Sequence, residues 1–548
     1  MKSSLARLTT ALCAVLLVAA ACGGNSTPSP KPATTPSGSV AAPTGTPAGA
    51  TATAAVPTDA PPSVAPPSEA PPSDVPASGA PTASPAPTTL RVDPEVPEGA
   101  VLVRWFCCLG AGDAPEQVTD ELAAIDAFNA SHDTIKIAFE VVPYAAARDA
   151  LATEIASGNA PDIVGPVGVG GANAFNDQWL DLQPLIDQTG YDMSQYQQGA
   201  VDFYKIGDVQ TAIPFAIYPS VMFYQAGMFT EEIGLAEPPH KYGEKYVIQG
   251  EKAAALFGVA EGTEVDWTYD TVRKLGLLLT VDVNGKDATE AGFDPTQIVQ
   301  YGFEPQRDDL RGLGAYFGPG KLAADDGTTV QIPDPWAAAW KYVYEGTWKD
   351  HFIMSGPTFE SPEFQGGGYA FCSGKVAMQT NFLWSKYCLE GTADAPAPAG
   401  DNWNMAAVPV YQGDPSAAFN ADTFRLVKTT KHPLEAFTAM TYLEGEASAD
   451  LLNTYGGMSA RPAEQEAFFA ALDEGFQYPP LLTPPDWQVV KDSVQWADNP
   501  NFEAFMPKYN ESLDILNTYL TKWTHTDGLD IDAEITALKD ELQATWNQ

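Results

Sequence analysis

The chain has few basic residues for its length. Its 29 Lys and Arg stand against 70 Asp and Glu, which gives a formal net charge of -41 over 548 residues. A chain so short of positive charge lacks the basic patches that nucleic acids and anionic membrane surfaces select. We therefore expect no nucleic-acid partner, whereas a neutral ligand stays compatible with the acidic balance.

The sequence motifs of several catalytic sites are also missing. There is no His-Glu-x-x-His, no Gly-x-Ser-x-Gly and no phosphate-binding loop. Histidine is scarce, and its five residues are widely separated: His132, His240, His351, His432 and His525. Neither a cofactor nor a catalytic residue is indicated by these patterns.

Two classes of protein have sequence requirements that can be compared with this chain. A secreted carbohydrate-active enzyme, such as a glycoside hydrolase, needs two carboxylates about 5 to 10 Å apart. With 70 acidic residues the sequence neither supplies nor excludes such a pair, so this class stays open as the alternative. A purely adhesive or structural lipoprotein would have internal repeats or a sandwich of short strands, and neither pattern follows the N-terminal region.

The first 22 residues have the pattern of a bacterial lipoprotein signal. Lys2 and Arg7 precede the apolar run 11–18, which is too short to span a bilayer, and small residues then lead to Cys22. We expect residues 1–21 to be removed and Cys22 to be lipidated. The protein would then be extracytoplasmic and anchored to the membrane, at the cell surface or in the periplasm. The alternative is an ordinary secretory signal with a chance cysteine.

A segment without aromatic residues or cysteine follows, from Asn25 to Leu90, in which Ala-Pro-Pro-Ser recurs. Proline, alanine, serine and threonine without large apolar residues cannot offset the entropy of an ordered chain. We predict a disordered tether over residues 22–95.

Four cysteines remain for the folded part: Cys107, Cys108, Cys372 and Cys388. Cysteines in an oxidising compartment favour disulfides, and four of them allow three connectivities. A bridge between Cys372 and Cys388 is the simplest, and it would leave an adjacent bridge or free thiols at Cys107 and Cys108. Cross-pairing stays open, as does a four-thiolate metal site, which is the rarer use of secreted cysteines.

A possible calcium loop is weighed at Asp282, Asn284 and Asp287, whose side-chain oxygens surround a glycine turn. Lys286 stands where a full EF-hand loop has an acidic or amide side chain, so the run fails that pattern. An Asx-type turn is the favoured interpretation, and calcium is kept only as a candidate structural ion.

Hydrophobic periodicity predicts alternating strands and helices at the start of the folded part. Strands are predicted at 101–106, 135–141 and 161–164, and an apolar stripe from Val118 to Phe128 predicts a helix. A second helix carries Leu151 and Ile155 and ends at Gly158. This order indicates an α/β fold with a mostly parallel sheet whose ligands bind at the carboxyl ends of strands. The loops 107–112 and 165–173 are therefore candidate site loops.

The order of short segments resembles the family 1 extracellular solute-binding proteins, the sugar-binding components of ABC importers typified by maltose-binding protein. The resemblance covers nearly all of the folded part. One departure is Gln225-Ala226, where the family has Asn-Lys, and another is the Cys107-Cys108 pair. The segments that carry it are 103–105, 128–129, 157–164, 179–182, 213–224, 228–229, 234–239, 267–270, 374–384 and 436–443.

The resemblance implies a type II periplasmic-binding-protein-like fold, in which two α/β lobes are joined by hinge-crossing strands. The first lobe would comprise residues 96–216 plus 376–455, and the second 217–375 plus 456–548. The length of the chain also favours two cores over one.

The resemblance further implies a receptor that captures a sugar or oligosaccharide between its lobes and delivers it to an ABC importer permease. Such a receptor is not an enzyme, and we expect it to be a monomer. Sugars stack on aromatic rings and exchange hydrogen bonds with polar side chains. The ligand-binding residues implied by family position are Tyr218, Trp384, Asp422, Phe424 and Trp496.

Overall fold

The computed structural model describes residues 89–548, except 197, 207, 308, 365–369, 392–395, 414, 417, 478 and 497–504, and except the side chains of 169, 199, 206, 232, 387 and 496. The predicted signal, Cys22 and residues 22–88 of the predicted tether lie outside the described residues. All described residues belong to one compact unit that spans 83–548.

The strands of the described part are mostly short, and the three longest have seven or eight residues. They are β1 Leu90–Val92, β2 Val101–Cys107, β3 Ile135–Val141, β4 Ile163–Val167, β5 Lys205–Ile206, β6 Val209–Gln210, β7 Ala216–Pro219, β8 Val221–Gln225, β9 Lys245–Val247, β10 Glu264–Asp266, β11 Val281–Asp282, β12 Ile298–Gln300, β13 Met378–Asn381, β14 Trp403–Ala406, β15 Phe419–Leu426 and β16 Met458–Ser459.

The α-helices are α1 Pro115–Ser131, α2 Tyr144–Ala156, α3 Val169–Ala174, α4 Gln183–Thr189, α5 Gln198–Phe203, α6 Glu251–Phe257, α7 Tyr269–Leu279, α8 Leu310–Ala315, α9 Asp334–Trp348, α10 Gly356–Phe359, α11 Pro433–Leu443, α12 Ser448–Tyr455, α13 Gln465–Gly475, α14 Trp487–Ser493, α15 Tyr509–His525 and α16 Ile531–Trp546. Short 3₁₀ turns include Ala370–Ser373, Leu383–Cys388 and Val494–Trp496, and Met228–Glu232 is a π-helical turn. Among the described helices, none is long and apolar enough to cross a bilayer.

The elements predicted near the start of the folded part are present at nearly the predicted positions. β2, β3 and β4 are strands, and α1 and α2 are the helices between them. Successive residues of β2 point to opposite faces of the sheet, as in any strand. Trp105 packs in the core that includes Phe128 of α1, whereas Phe106 packs with Leu151 of α2. Helices therefore cover the sheet on both faces.

The large sheet has the order β1-β3-β2-β4-β15-β7-β16. Within it, β2 pairs in parallel with β3 and β4, and the other neighbours are antiparallel. The prediction of a mostly parallel sheet thus holds for its N-terminal part alone. β15 comes from far along the sequence, and no local periodicity could indicate that it lies between β4 and β7.

The folded part begins earlier than the sequence predicts. β1 falls inside the predicted tether 22–95, yet it pairs with β3 through Leu90 opposite Val141. All three residues of this edge strand are exposed. Because the strand is short and buries no apolar face, it leaves no periodic signal in the sequence.

A second sheet, in the order β13-β8-β14, combines strands from both predicted lobe segments, and the lobe boundaries themselves stay a prediction. β13 and β14 fall in the predicted first lobe, 376–455, but pair with β8 of the predicted second lobe. Conversely, β16 falls in the predicted second lobe, 456–548, but pairs with β7 in the large sheet. The chain moves between the sheets after Pro219 and again between Ala406 and Phe419.

Candidate functional site

Two loops that the sequence singles out lie together at the carboxyl end of β2 and β4. The Leu109 N–H donates to the Pro166 carbonyl at 3.1 Å, and the Gly168 N–H donates to the Leu109 carbonyl at 2.9 Å. A Cβ built on Gly171 would lie 2.6 Å from Leu109 Cβ. The prediction of a loop over 165–173 is corrected by the structure, because residues up to Val167 end β4 and Val169–Ala174 form α3, with Gly168 between them. We keep the name loop 165–173 for this glycine-rich segment, whose glycines allow a close approach of two backbones.

Asp422 of β15 places a carboxyl group against both loops. The Ala111 N–H donates to Asp422 Oδ2 at 3.0 Å. A Cβ built on Gly168 would lie 3.1 Å from Asp422 Oδ1. The residue is 7% exposed, and burial raises the pKa of its carboxyl to about 6, although the Ala111 N–H favours the charged form. Asp422 is therefore a buried acid at the meeting point of the loops.

Tyr218 and Trp384 form an aromatic pair beside this acid. Tyr218 lies on β7, which pairs with β15 so that Ala216 is opposite Asp422. Its ring is 5.3 Å from the Trp384 ring, measured between centroids. Burial, together with the nearby Asp422 carboxyl, raises the pKa of Tyr218 well above its usual range. Trp384 is partly exposed, whereas Tyr218 is buried.

A second set of polar side chains, carried by α8 and α15, lies near the same glycine loop. The Asp309 carboxylate caps α8 and accepts from Arg311 Nη2 at 2.7 Å. The Arg311 guanidinium lies 5.5 Å from the centroid of the Tyr509 ring, at the first residue of α15. A Cβ built on Gly170 would lie 3.1 Å from the Tyr509 hydroxyl. Loop 165–173 thus contacts Asp422 at Gly168 and Tyr509 at Gly170.

The sequence gives no site role to Asp309, Arg311 or Tyr509. Asp309 before the helix is a readable capping signal. The approach of Arg311 to Tyr509 joins segments that are distant in the sequence, so residue patterns could not have found it.

The remaining predicted ligand residues have different surroundings. Phe424 is fully buried, and its ring packs against Trp105 at 5.4 Å and Phe215 at 5.3 Å between centroids. These contacts are those of a core residue. Trp496 ends the turn Val494–Trp496, and its side chain lies outside the described part.

The candidate calcium loop forms a hydrogen-bonded turn. Asp282 accepts from the backbone N–H groups of Lys286 at 3.0 Å, Asp294 at 2.9 Å and Asn284 at 2.8 Å. These donors, the Lys286 amide first, hold the pKa of the Asp282 carboxyl below its usual range. Asp287 accepts from the Lys252 ammonium at 2.6 Å. This is the pattern of an Asx-type turn, which the sequence favours over a cation site.

The four cysteines of the folded part are paired in the structure. Cys372 is bonded to Cys388, and Cys107 is bonded to its neighbour Cys108. All four are buried. Glu121, also buried, lies beside the adjacent pair, with its Oε1 3.6 Å from Cys107 Sγ. These three side chains are the one group of three His, Cys, Asp or Glu residues with metal-ligand spacing among the described residues.

The fold is similar to many solved structures of binding proteins. An ABC substrate-binding protein from Listeria monocytogenes, in complex with cycloalternan, has a TM-score of 0.58 and 16% identity, over 82% of this chain and 99% of that chain. The GacH receptor of Streptomyces glaucescens, solved unliganded and with acarbose, has a TM-score of 0.56 and 15% identity, over 82% and 99%.

A third similar structure is an ABC transporter solute-binding protein from Thermotoga lettingae, bound with alpha-D-tagatose. Its TM-score is 0.56 at 13% identity, over 82% of this chain and 99% of that chain. The likeness confirms the predicted fold class, the type II periplasmic-binding-protein fold.

No curated protein matches the chain by sequence. The family model described as bacterial extracellular solute-binding protein does match, over residues 113–450, which is more than half of the chain. The match begins before α1 and ends in α12, so it includes β15 with Asp422 and the turn with Trp384. The chain therefore belongs to the bacterial extracellular solute-binding protein family.

Proposed function

We propose that this protein is a receptor that captures a sugar or oligosaccharide between two lobes and delivers it to the permease of an ABC importer. A lipid on Cys22 would hold the receptor at the membrane, and residues 22–88 would act as its tether. The observation that carries the proposal is the set of polar side chains packed against the glycine loop 165–173. Asp422 of β15 and Tyr509 at the start of α15 both lie against this segment, and the Arg311 guanidinium lies 5.5 Å from the centroid of the Tyr509 ring.

The chemistry around this loop suits a neutral polyhydroxy ligand. Asp422 and the Asp309–Arg311 pair offer acceptors and donors to hydroxyl groups. Trp384 offers a partly exposed ring, on which the apolar C–H face of a pyranose can stack. Buried polar groups with a neighbouring aromatic face are typical of small-molecule sites.

Among the residues implied by family position, the contacts favour some over others. Asp422 faces the loops, whereas Phe424 packs in the core, so we propose Asp422 as the ligand-contacting member of that pair. We keep Trp384 as a stacking residue and Tyr218 as the residue that supports it. Trp496 stays a prediction.

The proposed mechanism is closure of two lobes around the ligand. We assign the large sheet to the first lobe and the β13-β8-β14 sheet to the second. Asp422 and loop 165–173 then belong to the first lobe, whereas Asp309, Arg311 and Tyr509 belong to the second. A ligand that contacts both sets stabilises the closed form, because it has more contacts there than in the open form.

The similar structures support a carbohydrate as the ligand. Those proteins were solved with cycloalternan, acarbose, alpha-D-tagatose and, in a protein from Bdellovibrio bacteriovorus, maltotriose. These four compounds form a first panel of ligands. The net charge of -41 also favours a neutral ligand over an anionic one.

Thermal unfolding with this panel tests the proposal. We would use residues 22–548 with Cys22→Ser, so that no lipid is attached. A saccharide at 100 times its Kd should raise the free energy of unfolding by about 2.7 kcal/mol through mass action. A clear rise in Tm with intact sugar recovered afterwards supports the receptor. Cleaved sugar would instead indicate a glycoside hydrolase, and no shift with any panel member or further saccharide would contradict the proposed ligand class.

A further inference from the structure

The adjacent disulfide lies directly beneath one of the loops of the candidate site. Cys107 ends β2, and both Cys107 and Cys108 are fully buried. Three residues further on, Ala111 donates its N–H to Asp422. The disulfide and the contact to Asp422 are therefore parts of the same short loop.

Gly112 connects the two parts sterically. A Cβ built on Gly112 would lie 2.6 Å from Cys107 Sγ, 2.6 Å from Cys108 Sγ and 2.6 Å from Glu121 Oε1. Its φ of +122° is a backbone conformation that residues other than glycine rarely adopt. The Gly112 N–H also donates to Gln117 Oε1 at 2.8 Å. The loop backbone thus rests on the two sulfurs, with no room between them.

Glu121 closes the other side of this cluster. It is fully buried, and burial raises the pKa of its carboxyl well above the usual range. The Tyr455 hydroxyl donates to Glu121 Oε1 at 2.7 Å, and Oε2 has no hydrogen-bond partner among the described atoms. The Tyr455 carbonyl in turn accepts from the Tyr218 hydroxyl at 3.5 Å. The cluster therefore contacts the aromatic pair as well as the loop.

We propose that the Cys107–Cys108 disulfide is a redox-sensitive support of the ligand site, and that its reduction displaces loop 109–112 and weakens ligand binding. The inference rests on the proposed function for its ligand part. A dithiol reductant breaks the S–S bond by thiol–disulfide exchange: two electrons and two protons pass to the cysteines, and the reductant becomes a disulfide. Two thiols then need van der Waals separation where the bonded sulfurs did not.

The packing determines what moves. Gly112 has no side chain to give way, and Glu121 is held by Tyr455, so the loop backbone must shift to make room. The Ala111 N–H then loses its acceptor on Asp422. Since the sulfurs are buried, a reductant reaches them only when the loop opens. If reduction weakens ligand binding, linkage requires that bound ligand shifts the thiol–disulfide equilibrium toward the disulfide by the same factor.

Amide hydrogen exchange tests the structural part without any ligand. We would compare residues 22–548 with Cys22→Ser in three forms: no further change, Cys372→Ser with Cys388→Ser, and Cys107→Ser with Cys108→Ser. EDTA is present throughout, because a reduced cluster of two thiols and a carboxyl group has metal-ligand spacing. Dithiothreitol should speed exchange of the Ala111 amide about tenfold in the first two forms, the effect expected for one lost hydrogen bond to a carboxylate.

The serine pair at 107 and 108 is the matched control. It should exchange at the faster rate without reductant and should not respond to dithiothreitol. If the form with serines at 372 and 388 does not fold, thiol labelling of the first form identifies which pair was reduced. Unchanged exchange at 109–112 after complete reduction of Cys107 and Cys108, or in their serine variant, would overturn the inference.

Ligand binding then separates this inference from the proposed function. The probe is the panel saccharide that raises the Tm of the oxidised protein. We expect its Kd to rise at least about tenfold on reduction or in the serine pair at 107 and 108. Equal affinity in both states would overturn the inference and leave the receptor function intact. If no saccharide binds the oxidised protein, the proposed ligand class fails, and the exchange result still decides the role of the disulfide.

Discussion

Asp422 has the most unusual environment of the described site residues. Its carboxyl is buried between strands and loops and has a folded-state pKa of about 6, above the ordinary value of 3.8. Between pH 4 and pH 6 the folded protein therefore keeps a proton that the unfolded chain has released. The contribution of Asp422 to the free energy of unfolding therefore falls as the pH rises through this window and then levels off.

The variant Asp422→Asn tests this dependence, since an amide does not titrate. Relative to the variant, the wild type should lose about 2 kcal/mol of unfolding free energy between pH 4 and pH 7. Urea unfolding at several pH values measures the difference. Other buried acids such as Glu121 titrate in both proteins, so they cancel. Parallel curves for the two proteins would show that folding does not raise the pKa of the Asp422 carboxyl.

Trp384 is the residue for which a ligand contact can be tested with little risk to folding, since its side chain is only partly buried. Trp384→Ala should lower affinity for the panel saccharide at least about tenfold, because a stacking face is lost. Isothermal titration measures this. Trp487→Ala is the matched control, since Trp487 stacks on Phe469 and Phe476 instead. Equal affinity in wild type and Trp384→Ala would assign the ring a structural role.

Residue patterns could predict part of this site. The loops after β2 and β4 follow from strand periodicity, and both contact Asp422, which the resemblance indicates. Phe424 is two residues from Asp422, and family position does not distinguish them, whereas packing does. Arg311 and Tyr509 could not be predicted, because their proximity depends on how distant helices pack.

At the scale of elements, the Cys372–Cys388 disulfide ties together the two turns on either side of β13. The turn Ala370–Ser373 precedes this strand and the turn Leu383–Cys388, which carries Trp384, follows it. The cysteines are 16 residues apart. Cross-linking a loop of this length restricts the unfolded chain by about 3 kcal/mol in the chain-entropy model.

Replacing both cysteines should expose that contribution. Cys372→Ser with Cys388→Ser should lower the free energy of unfolding by about 3 kcal/mol, measured by urea unfolding without reductant. Unchanged stability would show that the disulfide does not stabilise the protein by reducing the conformational entropy of the unfolded chain.

The elements differ in how far sequence could predict them. The sequence predicts the approximate bounds of α1, α2 and the neighbouring strands, because each has a clear apolar period and Gly158 marks the end of α2. β1 buries no apolar face, and β14 and β16 are very short. Their partners, like the position of β15, depend on tertiary contacts that a local period does not encode.

At the scale of the whole molecule, the proposed function requires two lobes that approach each other on binding. A panel saccharide that raises the Tm should also lower the radius of gyration in small-angle X-ray scattering, because closure makes the protein more compact. Residues 89–548 are suited to this measurement, since they exclude most of the predicted tether. A ligand that binds with no change in the radius of gyration would contradict a closure mechanism.

The place of β15 in the large sheet also affects how the protein acquires its structure. Its neighbours β4 and β7 are complete by Pro219, but β15 does not begin until Phe419. As the chain is made, β4 therefore has an unpaired edge on this side until the chain has extended to Leu426, and such edges invite association with other chains. Pairing between segments so distant in sequence also slows folding. Because β15 belongs to the last quarter of the chain, the large sheet can be completed only after most of the chain has been synthesised.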